Sequence, residues 1–343
     1  MFWRLGASVA VLMWGALGCS GQIISGVEEE RYLRGAGLWF EPDPGIRIRG
    51  ATVCAPGVDS AGMVYLYHRV GPDPYLAISE DGLNFGEAFR PVDMAHDPRR
   101  VLMPEEEAGQ TVWRFYRYDF SRNAMISQVS TDGVHFFPES GIRYEPHESD
   151  GGAMGVQAVF ANDRGEVVML YVGALGADNN LRRAVSVDNG WTFEFDEGDI
   201  LGDAIFGGRG ESHVDPQVTR LPDGTLRLFT MRQGPQPPHP PFRKVGTVHS
   251  HLSDDGGYDF VWESGMRLRC EDFIEFEVYS LHDPYVVLMP DGKYRMYVTA
   301  LISDGAGDYG PALVSATADP ALGVGGSMRR AGRWARSVSP SRR

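Results

Sequence analysis

Three aspartates share a local pattern that places carboxylates where chemistry is possible. Asp97, Asp215 and Asp283 each begin the run Asp-Pro, five residues, Pro, and an apolar strand follows each run. Carboxylates that converge shift each other's pKa values apart, so that one stays protonated while another is ionised. Cleavage of a glycosidic bond requires such a pair. A repeated Asp before Pro is also typical of turns and caps, and this structural interpretation stays open.

Other ionisable residues lie close to these aspartates in the sequence or at the ends of neighbouring strands. With the three aspartates we predict Glu211 as a catalytic residue. The predicted substrate-binding residues are His96, His213, His282, Arg117, Arg232 and Glu277. The alternatives are a satisfied polar network for the histidines and solvated or salt-bridged side chains for the arginines. No zinc-type spacing, phosphate loop or nucleophile-elbow motif is present in the sequence.

The elements that must position these residues are indicated by a repeated turn pattern, Ser-x-Asp-Gly-x-x-Phe. Two full copies and two looser ones begin at Ser79, Ser130, Ser186 and Ser253. In a hairpin turn of this kind the Asp accepts backbone N–H bonds, the Gly adopts positive φ, and the aromatic packs beneath. The pattern therefore predicts β-hairpins and says little about catalysis.

A second kind of hairpin alternates with the first and begins with the Asp-Pro pattern or a variant of it. Five such hairpins can be identified, so five sheets of four strands are expected. The N-terminal run Gly45-Ile46-Arg47 parallels Gly141-Ile142-Arg143 and Gly265-Met266-Arg267, each at the end of an outer hairpin. We predict an all-β fold, a five-bladed β-propeller over 37–322, with the ring closed by the N-terminal outer strand. Its inner strands would bring Asp97, Asp215 and Asp283 to one channel mouth.

The turn repeat resembles the Asp-box of sialidases, and the whole array is similar to the five-bladed propellers of glycoside hydrolase families 43 and 32. The resemblance implies carboxylates at the starts of the inner strands of the first three blades. Asp97 matches the second of these positions, where the family residue tunes the acid or stabilises the transition state. The first blade departs from the pattern, because Val53-Cys54-Ala55-Pro56 contains no Asp. The third has no clear Glu on its strand, and Glu148 lies a few residues early.

The N-terminus predicts export. Arg4 precedes an apolar run, Leu5–Leu17, that is too short to span a bilayer. Ala16-Leu17-Gly18-Cys19 resembles a bacterial lipobox, which implies a signal peptide over 1–19 and lipidation of Cys19; an ordinary signal peptide is the alternative. We expect a linker over 20–36, a disordered basic tail over 323–343, and a lipid-anchored protein of the cell envelope, or one that is periplasmic or extracellular.

The net charge limits the expected classes of partner, and the cysteine content limits the possible disulfides. The formal net charge of −14 disfavours nucleic acid. Cys54 and Cys270 could pair in an exported protein, but two buried thiols are favoured. No cofactor is expected, and a channel cation such as calcium stays open. The leading hypothesis is an exo-acting glycoside hydrolase; a non-catalytic glycan- or protein-binding propeller and a structural envelope component are the alternatives.

Overall fold

The computed structural model describes residues 38–91, 93–94, 101–107, 110–150, 154–173, 181–197, 200–201, 212–235, 244–303, 305 and 309–319. Within these ranges the chain forms twenty β-strands and two short 3-10 helices, at Glu148–Asp150 and Cys270–Asp272. The predicted all-β class is confirmed. The predicted signal segment (1–19), linker (20–36) and basic tail (323–343) lie outside the described residues.

The strands are numbered in chain order. The first ten are β1 (Glu41–Pro42), β2 (Ile48–Arg49), β3 (Ala51–Val58), β4 (Val64–Val70), β5 (Asp73–Ser79), β6 (Val101–Glu107), β7 (Gln110–Asp119), β8 (Ala124–Ser130), β9 (Phe137–Pro138) and β10 (Gln157–Ala161). The last ten are β11 (Val167–Val172), β12 (Leu181–Ser186), β13 (Glu194–Asp196), β14 (Ser212–Arg220), β15 (Leu226–Pro235), β16 (Val245–Ser253), β17 (Val261–Arg269), β18 (Val278–Leu288), β19 (Tyr294–Ser303) and β20 (Tyr309–Ala318).

These strands pair antiparallel with their sequence neighbours. Sheet 1 is β3-β4-β5, sheet 2 is β6-β7-β8-β9, and sheet 3 is β10-β11-β12-β13. The remaining nine strands form one larger sheet with two antiparallel arms. Arm 4 contains β14 to β17, and arm 5 contains β18 to β20 with β1 and β2. The arms meet through a single parallel pair, Val245↔Ser280. Gly246 permits this approach, because a Cβ there would overlap the Leu281 carbonyl.

The two ends of the chain share arm 5. In β1, Glu41 pairs with Thr317, and in β2, Ile48 pairs with Leu313. The Asp43 carboxylate between them accepts the hydroxyls of Ser315 at 2.6 Å and Thr317 at 2.7 Å. The N-terminal strands thus cover an edge of β20 that would otherwise offer unpaired backbone groups.

The Ser-x-Asp-Gly turns have the geometry expected from the sequence. In the first copy, Asp81 Oδ1 accepts the backbone amides of Leu83 and Asn84, both at 2.8 Å, and Gly82 has φ +68°. The amide of Asn84 is the first cause that lowers the pKa of Asp81 below its ordinary value. The first copy follows β5, and the other three lie between the third and fourth strands of sheet 2, sheet 3 and arm 4, so these turns are structural features.

A tyrosine from one sheet reaches the turn of the next. The three tyrosine hydroxyls that donate to the carbonyl of a turn glycine are Tyr67 to Gly133 at 2.5 Å, Tyr116 to Gly190 at 3.1 Å and Tyr297 to Gly82 at 2.7 Å. They join sheet 1 to sheet 2, sheet 2 to sheet 3, and arm 5 back to sheet 1. The hydroxyl fills the place of a missing side chain, since a Cβ at Gly82 would lie 2.6 Å from the Tyr297 oxygen.

The arginines of the Gly-x-Arg runs form a second set of joints. Each donates to a backbone carbonyl of the neighbouring sheet or arm: Arg47 to Leu83 at 2.8 Å, Arg143 to Trp191 at 3.0 Å and Arg267 to Leu38 at 3.0 Å. Arg267 is only 1% exposed, and its burial lowers its pKa to about 10. The sequence parallel between these three runs therefore corresponds to one recurring contact between neighbouring sheets.

Candidate active site

The first strands of sheet 1, arm 4 and arm 5 carry the same local distortion at the same position. The pairing of β3, β14 and β18 with the next strand shifts between Thr52 and Ala55, Val214 and Gln217, and His282 and Tyr285. At each shift one residue is left-handed, with φ 49° at Val53, 55° at Asp215 and 49° at Asp283. Non-glycine residues rarely adopt this conformation, and for a β-branched valine it is a true outlier. Strain of this kind gathers at functional sites.

Asp215 and Asp283 are joined directly. The Asp215 Oδ2 atom accepts the backbone amide of Asp283 at 3.0 Å, and the Asp215 residue is only 6% exposed. At the corresponding place in sheet 1, the Val53 amide donates to Thr299 Oγ1 at 2.9 Å. The structure therefore brings two of the three predicted aspartates together, while Val53 occupies the corresponding position in the first strand of sheet 1.

The two carboxylates differ in their surroundings. Asp215 is held by the neighbouring strand, whereas Asp283 is only partly buried. Within the described ranges the Asp283 carboxylate accepts no hydrogen bond; its backbone carbonyl accepts the Cys54 thiol, with a sulfur–oxygen distance of 3.8 Å. The pair thus combines a fixed carboxylate with one that is available to a ligand.

A glutamine fixes the strands that carry the pair. Gln217 donates through Nε2 to the Val286 carbonyl at 3.3 Å and accepts the Val286 amide through Oε1 at 3.1 Å. Thr219 Oγ1 donates to the same carbonyl at 3.0 Å. The side chain therefore replaces one step of a β-ladder between β14 and β18. Sequence analysis did not single out Gln217, because a glutamine at that position gives no signal until the facing strand is known.

His213 is placed in the interior, which differs from the predicted contact with substrate. The residue is 1% exposed, its Nδ1 lies 2.8 Å from Thr230 Oγ1, and its ring centroid lies 5.4 Å from that of His249 and 5.6 Å from that of His251. Burial is the first cause that lowers the pKa of His249 and His251 far below the ordinary value. His213 thus belongs to a buried group of imidazoles, in which Nδ1 of His249 and Nδ1 of His251 have no hydrogen-bond partner among the described residues.

The other predicted binding residues lie at different distances from the pair. His282 precedes Asp283 on β18, is half-buried, and its Nε2 lies 2.9 Å from Ser280 Oγ. Arg232 is buried and faces His213 across β14 and β15. Glu277 is exposed just before β18. Arg117 belongs to β7 of sheet 2 and lies 3.8 Å from the Asp119 carboxylate. The predicted residues Cys19, His96, Asp97 and Glu211 lie outside the described residues.

Sheet 3 contains a buried carboxylate that sequence analysis missed. Asp150 is 2% exposed, and its Oδ2 accepts the Tyr171 hydroxyl and the His147 amide, both at 2.9 Å. Among the described residues, none donates a hydrogen bond to its Oδ1 atom, which lies 3.8 Å from Arg182 Nε. Glu148, which the sequence had suggested, is exposed in the same 3-10 turn. Two acids two residues apart give no sequence signal for which of them the turn will bury.

The two cysteines are buried thiols at separate places. Cys54 donates to the Asp283 carbonyl, and Cys270 donates to the Val245 carbonyl at 3.6 Å. They form no disulfide, so the favoured alternative is confirmed. Among the described ranges, no group of three or more His, Cys, Asp and Glu side chains is arranged to hold a metal ion. No helix in that part of the chain has the length and apolar character of a membrane span.

Solved structures of carbohydrate-acting enzymes, among them members of glycoside hydrolase family 43, share this fold. The endo-arabinase of Bacteroides thetaiotaomicron VPI-5482 matches with a TM-score of 0.54 at 14% identity, over 80% of this chain and 96% of that one. The arabinoxylan arabinofuranohydrolase of Bacillus subtilis matches with a TM-score of 0.58 at 11% identity, over 80% and 64%. Endo-1,5-alpha-L-arabinanase of Thermotoga petrophila RKU-1 matches with a TM-score of 0.54 at 12% identity, over 80% and 72%.

At this level of identity the likeness concerns the fold alone, which is that of glycoside hydrolases of this type. No family model matches the sequence, and no curated protein matches it.

Proposed function

We propose that sheets 1 to 3 and arms 4 and 5 are the five blades of a closed propeller, latched by the N-terminal strands. The contact of Tyr297 with Gly82 supports closure, since it joins arm 5 to sheet 1 in the manner by which Tyr67 joins sheet 1 to sheet 2. The Ser-x-Asp-Gly turns are Asp-boxes that receive these contacts. The inner strands β3, β14 and β18 then line one channel and present their distorted positions at its mouth.

The protein is an exo-acting glycoside hydrolase whose reactive carboxylates stand at that mouth. The observation that carries this proposal is the hydrogen bond from the Asp283 amide to the Asp215 carboxylate, because it places two aspartates of adjacent inner strands side by side. Glycoside cleavage needs a carboxylate that attacks or activates water, and a second group that protonates the leaving oxygen. These roles do not depend on which two blades carry the aspartates.

The surroundings of the two carboxylates assign their roles. Asp283, partly exposed and with no hydrogen bond to its carboxylate from the described residues, acts as the nucleophile or base. Asp215, held by the neighbouring amide, stabilises the positive charge that develops on the sugar ring. Glu211 donates the proton to the leaving group, and Asp97 tunes that acid. His282 and Arg232 orient the sugar hydroxyls from β18 and β15.

The substrate class is a polysaccharide or oligosaccharide of pentoses. The support is the fold shared with enzymes named for arabinan and arabinoxylan, together with the acidic channel mouth. The protein reaches such chains as an exported lipoprotein with Cys19 lipidated. A Cys19→Ala variant that stays in the detergent phase on Triton X-114 partition of whole-cell lysates would contradict the lipid anchor.

A non-catalytic glycan-binding propeller is the second candidate. The observation that favours it is Val53, which occupies the position of Asp215 and Asp283 in the inner strand of sheet 1. A channel with one carboxylate fewer could retain recognition of sugars without turnover. Hydrolysis and binding must therefore be measured on the same protein.

The test is a screen of the purified protein against aryl arabinofuranosides, aryl xylosides, arabinan and arabinoxylan. The expected result is turnover of at least one substrate, with kcat reduced roughly 10²- to 10⁴-fold by Asp283→Asn, the range for loss of a positioned acid or base. Asp291→Asn is the matched control, because Asp291 lies in the exposed turn at the far end of β18 and accepts the Lys293 amide. Wild-type activity in Asp283→Asn would contradict the assigned role, and binding without turnover would favour the second candidate.

A further inference from the structure

Two tyrosines lie side by side where arm 5 begins. Tyr279 is the second residue of β18 and Tyr309 is the first residue of β20, and their ring centroids are 5.3 Å apart with the planes tilted by 50°. Both side chains are partly exposed. Because β18 and β20 both start at this end, the pair lies at one end of arm 5, on the N-terminal side of Asp283 in β18.

An acidic residue, Glu277, lies beside the pair. Glu277 is exposed, and its backbone carbonyl accepts the Ser303 amide at 2.9 Å, which fixes the segment against the end of β19. Loss of solvation, and then the charge and a hydrogen bond of Glu277, raise the pKa of Tyr309. The surface thus joins two ring faces and a carboxylate.

This combination fits a sugar ring better than a purely apolar or a purely charged ligand. Tyrosine carries a large apolar face with a polar tip, so it covers the C–H face of a ring while its hydroxyl remains available for bonding. A carboxylate accepts hydrogen bonds from hydroxyl groups through both oxygens. Aromatic faces edged by a few convergent polar groups are typical of small-ligand sites.

The tyrosine pair is near enough to the proposed reaction centre for one sugar chain to contact both. Tyr279 precedes Asp283 by four residues on one strand, which corresponds to at most about 13 Å at the usual rise of an extended strand. A ligand on the tyrosines and a sugar at Asp283 would therefore be separate parts of one chain.

We propose that Tyr279, Tyr309 and Glu277 form an accessory subsite that binds a sugar unit of the polysaccharide chain, one or more units away from the bond that is cleaved. The inference rests on the proposed function for its orientation, because the chain must enter the channel mouth at Asp215 and Asp283. The subsite holds the remainder of the chain over the rim of arm 5 while the terminal unit reaches the channel.

The test compares long and short ligands in Tyr279→Ala, Tyr309→Ala and the double variant. On loss of one aromatic anchor, KM for arabinan should rise roughly tenfold, or the affinity of the protein for arabinan in affinity gels should fall by the same factor. The value of kcat/KM for a one-sugar aryl substrate should stay unchanged. Tyr309→Phe keeps the ring and should retain most of the affinity. Phe137→Ala is the matched control, since Phe137 is 60% exposed on β9 of sheet 2. Melting temperatures confirm that each variant is folded.

The outcomes separate this inference from the proposed function. Retention of the wild type by arabinan or arabinoxylan gels without hydrolysis, with loss of retention in the alanine variants, supports the subsite and contradicts the catalytic proposal. Hydrolysis of arabinan with the same KM in wild type and in the double variant overturns the subsite and leaves the catalytic proposal intact. A wild-type protein that none of these gels retards, and whose polysaccharide KM does not respond to Tyr309→Ala, also overturns it.

Discussion

At the scale of single residues, backbone conformation decides where carboxylates can act. Asp215 and Asp283 are left-handed at shifts in strand pairing, and a proline follows each of them. The shift turns the aspartate out of the ladder, so that Asp215 reaches the amide of the adjacent strand instead of solvent. The same distortion persists at Val53 without a carboxylate. The left-handed conformation therefore belongs to the fold and does not require an aspartate.

The Asp215 carboxylate should contribute to stability and to activity separately. In Asp215→Ala the Asp283 amide loses its acceptor, and we expect a loss of about 1 to 3 kcal/mol in the free energy of unfolding, the cost of an unpaired buried donor. Asp215→Asn keeps an acceptor oxygen and should lose much less stability, yet both variants should lose activity. Urea denaturation and steady-state rates check this. Equal stability of the two variants would contradict the importance of the hydrogen bond.

At the scale of elements, arm 4 contains a group of buried imidazoles that β14, β15 and β16 bring together. His213 contacts both His249 and His251, and Thr230 Oγ1 lies within hydrogen-bond distance of both His213 and His251. After burial, the charges that lower the pKa of His249 come from His213, His251, Arg232 and Arg267, and no carboxylate is among them. Both His249 and His251 are therefore neutral in the folded protein.

This group makes stability depend on pH. The unfolded chain takes up protons on these histidines below a pH of about 6.5, while the folded chain does not. Stability should thus be fully present above that pH and fall as pH decreases, by up to roughly 1.4 kcal/mol per pH unit for each histidine. Urea denaturation between pH 7 and 5 measures the slope. His249→Gln should flatten it, and the exposed control His135→Gln should not; an unchanged slope in His249→Gln would contradict this account.

The sequence predicted the features that depend on neighbouring residues and missed those that depend on residues distant along the chain. The Ser-x-Asp-Gly turns involve only neighbouring residues, so residue type was enough to predict their geometry. The pairing of the N-terminal strands was predicted from the likeness of the run at Arg47 to the other two Gly-x-Arg runs. The burial of His213 and Asp150 was not predictable, because it depends on strands distant in sequence that pack over them. Likewise, the junction of arms 4 and 5 at Gly246 depends on a close approach that only the packed sheets reveal.

At the scale of the whole molecule, the contacts between sheets recur in the same form along the chain. Tyrosines of second strands reach glycine turns, and arginines of outer strands reach the next turn or strand. Because the final tyrosine and Arg47 make these contacts with sheet 1, the last arm is bound to the first sheet by the same chemistry as the others. The joint between arm 5 and sheet 1 thus involves no new kind of interaction.

The joint between arm 5 and sheet 1 should be as strong as an internal joint. Tyr297→Phe removes the hydrogen bond to Gly82 and should cost about 0.5 to 1.5 kcal/mol in the free energy of unfolding. Tyr67→Phe, which removes the equivalent bond to Gly133, is the matched comparison. Denaturant titration of both variants measures the two costs. A clear cost for Tyr67→Phe with none for Tyr297→Phe would show that the ring is open at this joint.

The most direct test of the central claim is a crystal structure of Asp283→Asn grown with a pentose oligosaccharide. The account predicts five sheets around one channel and a sugar ring within hydrogen-bond distance of Asp215 and residue 283. An oligosaccharide bound away from both positions, or sheets that do not surround a common channel, would contradict it.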